Sequence, residues 1–380
     1  MRRGLFVAWA VAVLGAGVSV EAASAPTKGM PEIRSMSALA FGPDGVLFVG
    51  DSRAGAVFAL DLGDKAPREI AKPSEVQDVE GKLAALLGAT PADVMVHDMA
   101  VNPLSKNVYL AVSRGRAQLA TEWALPNDVA DATVLVKVDE SQRFSVVDLG
   151  SVAHARVDLP NPVDPGKKHG WKEGLSLRSE TITDLAYADG ALWIAGLSNE
   201  EFASTMWRAA YPFAGPLSVT TIENYHGAHG KYETEAPVRA FVPFPLQGKT
   251  HLVAAYLCTP LVTFDASALR DKTHVRGRTI GEFGSGNYPL DMVVYKSQDR
   301  QKLLIANSNL PLMIVDPKDI EAYAGEITSE VPGYTGGVRF ESRSGTGVQQ
   351  LDNLGDTHVV VLRRLMGGRL DLVPLSVRRF

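Results

Sequence analysis

The sequence predicts an all-β fold, a six-bladed β-propeller built from four-stranded antiparallel blades. Three observations lead there. A strand–turn–strand pattern recurs six times, with inner-strand starts near residues 38, 98, 184, 240, 291 and 350. Most units are separated by about 50 to 60 residues, a period that indicates stacked or radial repeats. The turns inside the units, such as "GPDG" at 42–45 and "YADG" at 187–190, are hairpin signals between alternating apolar runs.

The chain opens "MRRGLFVAWAVAVLGAGVSVEAASA". Arg2 and Arg3, an apolar run from Leu5 to Val20 and a small-residue tail follow the order of an export signal, with cleavage expected near Ala22 or Ala23. Residues 1–23 are therefore read as a signal peptide, and 26–380 as one propeller domain in the periplasm or secreted. The run is short for a membrane anchor. No membrane association is expected after cleavage. The net charge of −5, without a basic tract, argues against nucleic acid as a partner. Cys258 is the single cysteine, so no internal disulfide framework exists. Its apolar surroundings, "AAYLC", suggest a core position.

The units follow in order. Ser37–Asp61, His97–Gly115 and Thr183–Ala209 each show an apolar strand, a turn, a β-rich strand and a polar tip. Arg239–Asp265, Pro289–Asp316 and Gln349–Leu375 repeat the pattern. A third strand is visible in most units, and "RFSVVDL" and "RTIGEF" fit as fourth strands. The last unit ends after its third strand. The segment from Lys28 to Arg34 is expected to complete it and close the ring, hiding two sheet edges. The long gap between 98 and 184 holds the Pro/Gly-rich "LPNPVDPGKKHGWKEG" and reads as an insertion. Glu75–Ala89 reads as a short helix stopped at Gly88.

"FGPDGVLFVGD" and "YADGALWIAG" resemble the blade signature of six-bladed propellers of the NHL, SMP-30, strictosidine synthase and paraoxonase type. The resemblance is at the superfamily level and spans most of the chain. It implies a calcium ion on the axis, held by Asp, Asn and Glu side chains. Asp98, Asp184, Asp291 and Asn307 are the positions that resemble those ligands; the usual first-blade Glu has no clear match.

The residues themselves allow two readings of these positions. Carboxylates and amide oxygens around a narrow axis suit a hard divalent cation, calcium first. Aspartates at strand entries also cap loops by accepting backbone N–H bonds. The entry to unit four, "ENYHGAHGKYETEAP", is the other candidate. His226, His229 and Glu233 could hold zinc, iron or copper, or lie solvated on the surface. The loop is expected to fold over the axis beside His97 and the aspartates. His97 or His226 would then move the proton as the catalytic acid/base. Arg114, Arg363 and Arg364 are candidates for binding an anionic substrate. No G-x-S-x-G or P-loop occurs. The function expected is a metal-assisted hydrolase or lyase acting on a small molecule; the alternative is a non-catalytic ligand- or protein-binding module.

Overall fold

A computed structural model describes residues 26–380 apart from 71, 115–132, 171–175, 259, 285 and 298–299. The signal segment and Trp171 of the insertion lie outside the described residues. Six antiparallel sheets form a closed ring. Their innermost strands are Ala38–Phe41, Val94–Val101, Asp184–Ala188, Val238–Leu246, Pro289–Ser297 and Val348–Leu354, in blades 1 to 6 of the chain. These match the six unit starts of the repeat pattern. "RFSVVDL" and "RTIGEF" supply the fourth strands of blades 2 and 4, as Phe144–Val146 and Arg278–Phe283.

The ring does not follow chain order. The innermost strands neighbour one another in the order 1, 3, 4, 5, 6, 2 and back to 1. Six apolar cores follow the same order, one in each gap between blades. Phe48 and Trp207 meet between blades 1 and 3, Trp193 and Phe264 between 3 and 4, and Phe244 and Leu303 between 4 and 5. Leu304 and Val361 meet between 5 and 6, Leu362 and Leu110 between 6 and 2, and Phe58 and Tyr109 between 2 and 1. The cause is a return strand. Blade 1 runs through Ala38–Phe41, Leu47–Asp51 and Ala56–Asp61, and blade 2 is then built. Only afterwards does Val152–Asp158 come back to pair with Ala56–Asp61 as the fourth strand of blade 1. Blade 2 is thus enclosed in sequence between two strands of blade 1. The pairing fastens two distant parts of the chain, and the long gap between units two and three holds this return strand after the last two strands of blade 2.

The N-terminal strand differs from expectation in its place. Thr27–Gly29 pairs with Val152–Asp158 at the outer edge of blade 1, not with blade 6. Blade 6 keeps three strands. Its outer edge is covered by another segment: Val76 and Leu372 exchange backbone hydrogen bonds. Helix Val79–Leu87 follows, capped by the Asp78 side chain and ended by Gly88 in the left-handed conformation. A covered edge offers no template for further strand pairing. Arg364, a candidate anion binder in the sequence, instead grips Glu80 of this helix through two bonds of 2.8 and 2.9 Å. Both groups are partly exposed, so Arg364→Ala is expected to cost only about 1 kcal/mol in urea unfolding. A loss above about 3 kcal/mol would show that the helix is needed to close the ring.

Candidate functional site

The innermost strand of each blade has a neighbour on one side only, so alternate N–H groups face the axis without a ladder partner. Buried donors of this kind must be paired. Asp98 accepts from its own neighbour Met99 N at 2.8 Å and from Leu39 N of blade 1 at 2.6 Å. Asp184 does the same with Leu185 and with Phe241 of blade 4, both at 2.7 Å. Asp291 repeats it with Met292 and with Leu351 of blade 6, again at 2.7 Å. In the ring order these three aspartates occupy alternate blades, and each bridges to a blade that lacks one. The equivalent positions there are Ala38, Ala240 and Gln350. A fourth carboxylate, Asp352, accepts from Val101 of blade 2 at 2.7 Å and from Asn353 at 2.6 Å. Asp352 is not among the positions expected from the sequence; its signal is the polar "LDNL" at 351–354 inside an inner strand.

The four carboxylates line an axial cavity of about 590 Å³. The cavity extends from them toward the hairpin ends that carry Phe41, Lys106, Tyr187, Lys296 and Gln301. The carboxylates are deep in the ring yet border this cavity. Burial pushes Asp98 up to about 7, Asp184 to about 8 and Asp352 to about 6, against their backbone hydrogen bonds. Burial also raises Asp291 well above the usual range, and the charges of Asp98 and Asp184 add to it. The capping reading of these aspartates has a full hydrogen-bond account.

His97 and Asn307 do not join this group. His97 Nε2 lies 2.8 Å from Ser113 Oγ, and the His97 carbonyl accepts from Gln350. Burial lowers its pKa. Asn307 accepts from Asn287 at 2.9 Å and donates to the Pro311 carbonyl. No histidine lines the axial cavity among the described residues.

His226, His229 and Glu233 form a second, separate group. Strand Ser218–His226, the outer strand of blade 3, turns at Gly227–Gly230 and returns as Lys231–Glu233. The segment is a hairpin rather than an open loop over the axis, and it packs against the outer part of blade 4. Gly227 N donates to Glu282 at 2.6 Å, and Val331 N donates to the Gly227 carbonyl at 3.1 Å. A Cβ at Gly227 would lie 2.8 Å from Val331 and 3.0 Å from Glu282, so only glycine permits this approach.

Glu233 touches both rings. His226 Nδ1 lies 2.9 Å from Oε2, and His229 Nδ1 lies 2.7 Å from Oε1. Burial raises the pKa of Glu233, but the hydrogen bonds from the two histidines outweigh it and hold the carboxyl at about 2. An ionised Glu233 accepts a hydrogen bond from the Nδ1–H of each ring, and in that tautomer each Nε2 presents its lone pair. The rings are 3.9 Å apart between centroids. Cys258, at the turn between the second and third strands of blade 4, completes the group. One donor atom from each of His226, His229 and Cys258 lies within 4.8 Å of the others. Cys258 has a left-handed backbone, φ 60°, uncommon for a residue with a side chain. The apolar neighbours of Cys258 suggest a core position, whereas its side chain is only partly buried and lies at a strand end on the face where strand-entry loops gather.

His226 Nε2 is buried without a hydrogen-bond partner. His229 is exposed, so the group is open to solvent on one side. Glu282 lies beside the hairpin with its carboxyl raised to about 7, chiefly by burial. The arrangement is a pair of imidazoles oriented by one carboxylate, with a thiol opposite and an open flank.

No family model and no curated protein matches the chain. Among solved structures it is similar to virginiamycin B lyase from Staphylococcus aureus, at 10% identity and a TM-score of 0.37 over 91% of this chain and 97% of that one. It is also similar to Kuenenia stuttgartiensis hydrazine synthase, at 10% identity and a TM-score of 0.38 over 97% and 100%. A third is BBS1N in complex with ARL6DN, at 10% identity and a TM-score of 0.31 over 94% and 98%. At these TM-scores the likenesses carry no argument about this chain. By its own sheet topology and ring closure the chain is a six-bladed β-propeller, the fold that its blade signatures predict.

Proposed function

We propose that this protein is an exported metalloprotein whose metal centre is held by His226, His229 and Cys258, with Glu233 orienting both imidazoles. The observation that carries the reading is the buried Nε2 of His226. An unpaired polar atom in that position costs about 1–3 kcal/mol, and a metal ion satisfies it. Carboxylates that orient metal-binding histidines through Nδ1 are a recurring outer-shell device. Two nitrogens and a thiolate suit zinc or copper better than calcium, which takes oxygen ligands. Three protein ligands and an exposed flank fit a centre with an open coordination position, as in catalytic zinc sites. The activity proposed is metal-assisted hydrolysis or lyase chemistry on a small molecule, in which the metal polarises an oxygen or activates water. Glu282, buried beside the same hairpin with its Oε1 accepting from Gly227 N, would serve as the proton acceptor. Export follows from the Arg2-Arg3 start and the apolar run behind it.

Elemental analysis of the purified mature protein tests the centre, and intact mass tests the export. About one zinc or copper per chain and an N-terminus near residue 23 are expected. A chain that takes up no stoichiometric metal after incubation with zinc or copper(I) would refute the centre. Retention of Met1 in protein from the periplasmic fraction would refute cleavage.

A further inference from the structure

A cleft of about 890 Å³ lies on the side of blades 5 and 6, at the hairpin ends of their inner strands. Those ends are on the ring face opposite the turn that carries Cys258. The cleft falls in the size range of small-molecule sites. It is lined by Lys296, Arg300, Lys302 and Arg378, with Asp356 as the one acidic side chain among its lining residues. This concentration of positive charge occurs in a chain whose net charge is −5.

The cations come from separate elements. Strand pairing places Ser297 opposite Arg300 and Tyr295 opposite Lys302. Side chains alternate along a strand, so Arg300 and Lys302 share a face with Tyr295. Tyr295 packs in the core between blades 5 and 6, so that face is turned toward blade 6. Arg378 enters from the C-terminal turn after strand Leu370–Ser376. Arg300 is only loosely engaged by an acid, 3.7 Å from Asp316. The hydroxyls of Ser297, Thr357 and Ser376 add neutral partners, and Val377, Phe380 and Ile70 add an apolar wall.

We infer that this cleft binds a small polyanion, a molecule with two or more phosphate or carboxylate groups. Arginine forks and lysine points arranged around a cleft recognise such groups through charge-assisted hydrogen bonds. The inference is independent of the metal centre, which lies between other blades.

Calorimetric titration of the mature protein with tripolyphosphate at low ionic strength tests it, with vesicles containing phosphatidylglycerol as a second probe. Saturable tripolyphosphate binding is expected, at least about tenfold weaker in the double variant Arg300→Glu/Lys302→Glu and in Arg378→Glu, and weaker as salt rises. Vesicle binding without tripolyphosphate binding, lost in the same variants, assigns the anion to a lipid headgroup. Binding of neither probe overturns the inference, as does binding unchanged in both variants. These side chains lie at the surface, so unaltered circular dichroism is expected. His226→Ala is expected to bind tripolyphosphate like the unaltered protein, which separates failure of this site from failure of the metal centre.

Discussion

His226→Ala is expected to abolish stoichiometric zinc or copper uptake while leaving the propeller folded. His226 supplies the buried donor of the group, and among the described residues no other imidazole is placed to replace it. The substitution also frees one oxygen of Glu233, a half-buried carboxylate, from its partner. The expected stability cost is about 1–3 kcal/mol, because His229 still engages the other oxygen. Two further variants separate a metal role from a structural one. Cys258→Ser keeps the size of the side chain but removes the thiolate, and should shift metal preference away from copper(I). Glu233→Gln offers one acceptor where two are used, so one imidazole loses its orientation. It should weaken metal binding about 10- to 100-fold while both histidines remain. Uptake in all three variants equal to that of the unaltered chain would remove the centre from consideration.

Stability should fall as pH rises from about 5 to 8. The axial carboxylates have folded-state pKa values near 6 to 8, above the unfolded value of 3.8. Between those limits the folded state binds more protons than the unfolded state. The stabilisation is therefore full below about pH 4 and is lost as pH climbs through the folded values. Four carboxylates around one cavity repel once ionised, so the combined loss is expected to be about 3 kcal/mol or more. Glu233 acts with the opposite sign: its lowered pKa contributes stability above about pH 4 that disappears on acidification. The stability optimum should thus lie near pH 5, with a melting temperature several degrees above that at pH 8. Asp184→Ala removes one carboxylate but leaves the Leu185 and Phe241 N–H groups without their acceptor. It should be less stable than the unaltered chain at pH 5 and should show a flatter pH profile. A melting temperature that rises steadily from pH 5 to 8 would contradict the raised pKa values.

Much of the fold was legible because strand periodicity and turn chemistry are local. "GPDG" and "YADG" mark their hairpins whatever lies beyond them, and so the six inner strands and the fourth strands at 144–146 and 278–283 were placed correctly. Helix Val79–Leu87 followed from its apolar spacing and from Gly88. The grouping of His226, His229 and Glu233 was also readable, because eight residues of hairpin hold all three.

What only the tertiary structure decided concerns partners distant in the chain. The return of Val152–Asp158 to blade 1 is a pairing across an entire inserted blade, and no local pattern encodes it. That pairing sets the ring order, and the ring order puts Asp98, Asp184 and Asp291 on alternate blades. Their hydrogen bonds to Leu39, Phe241 and Leu351 are consequences of neighbours that sequence distance hides. Cys258 joins the histidines for the same reason: the turn that carries it meets the hairpin only when blades 3 and 4 pack. The sequence by itself determined which residues could form strands and turns, and which stretch carries two histidines and a carboxylate close together. Packing alone determined which of them meet, because apolar burial is non-directional and selects partners by the shape of the closed ring.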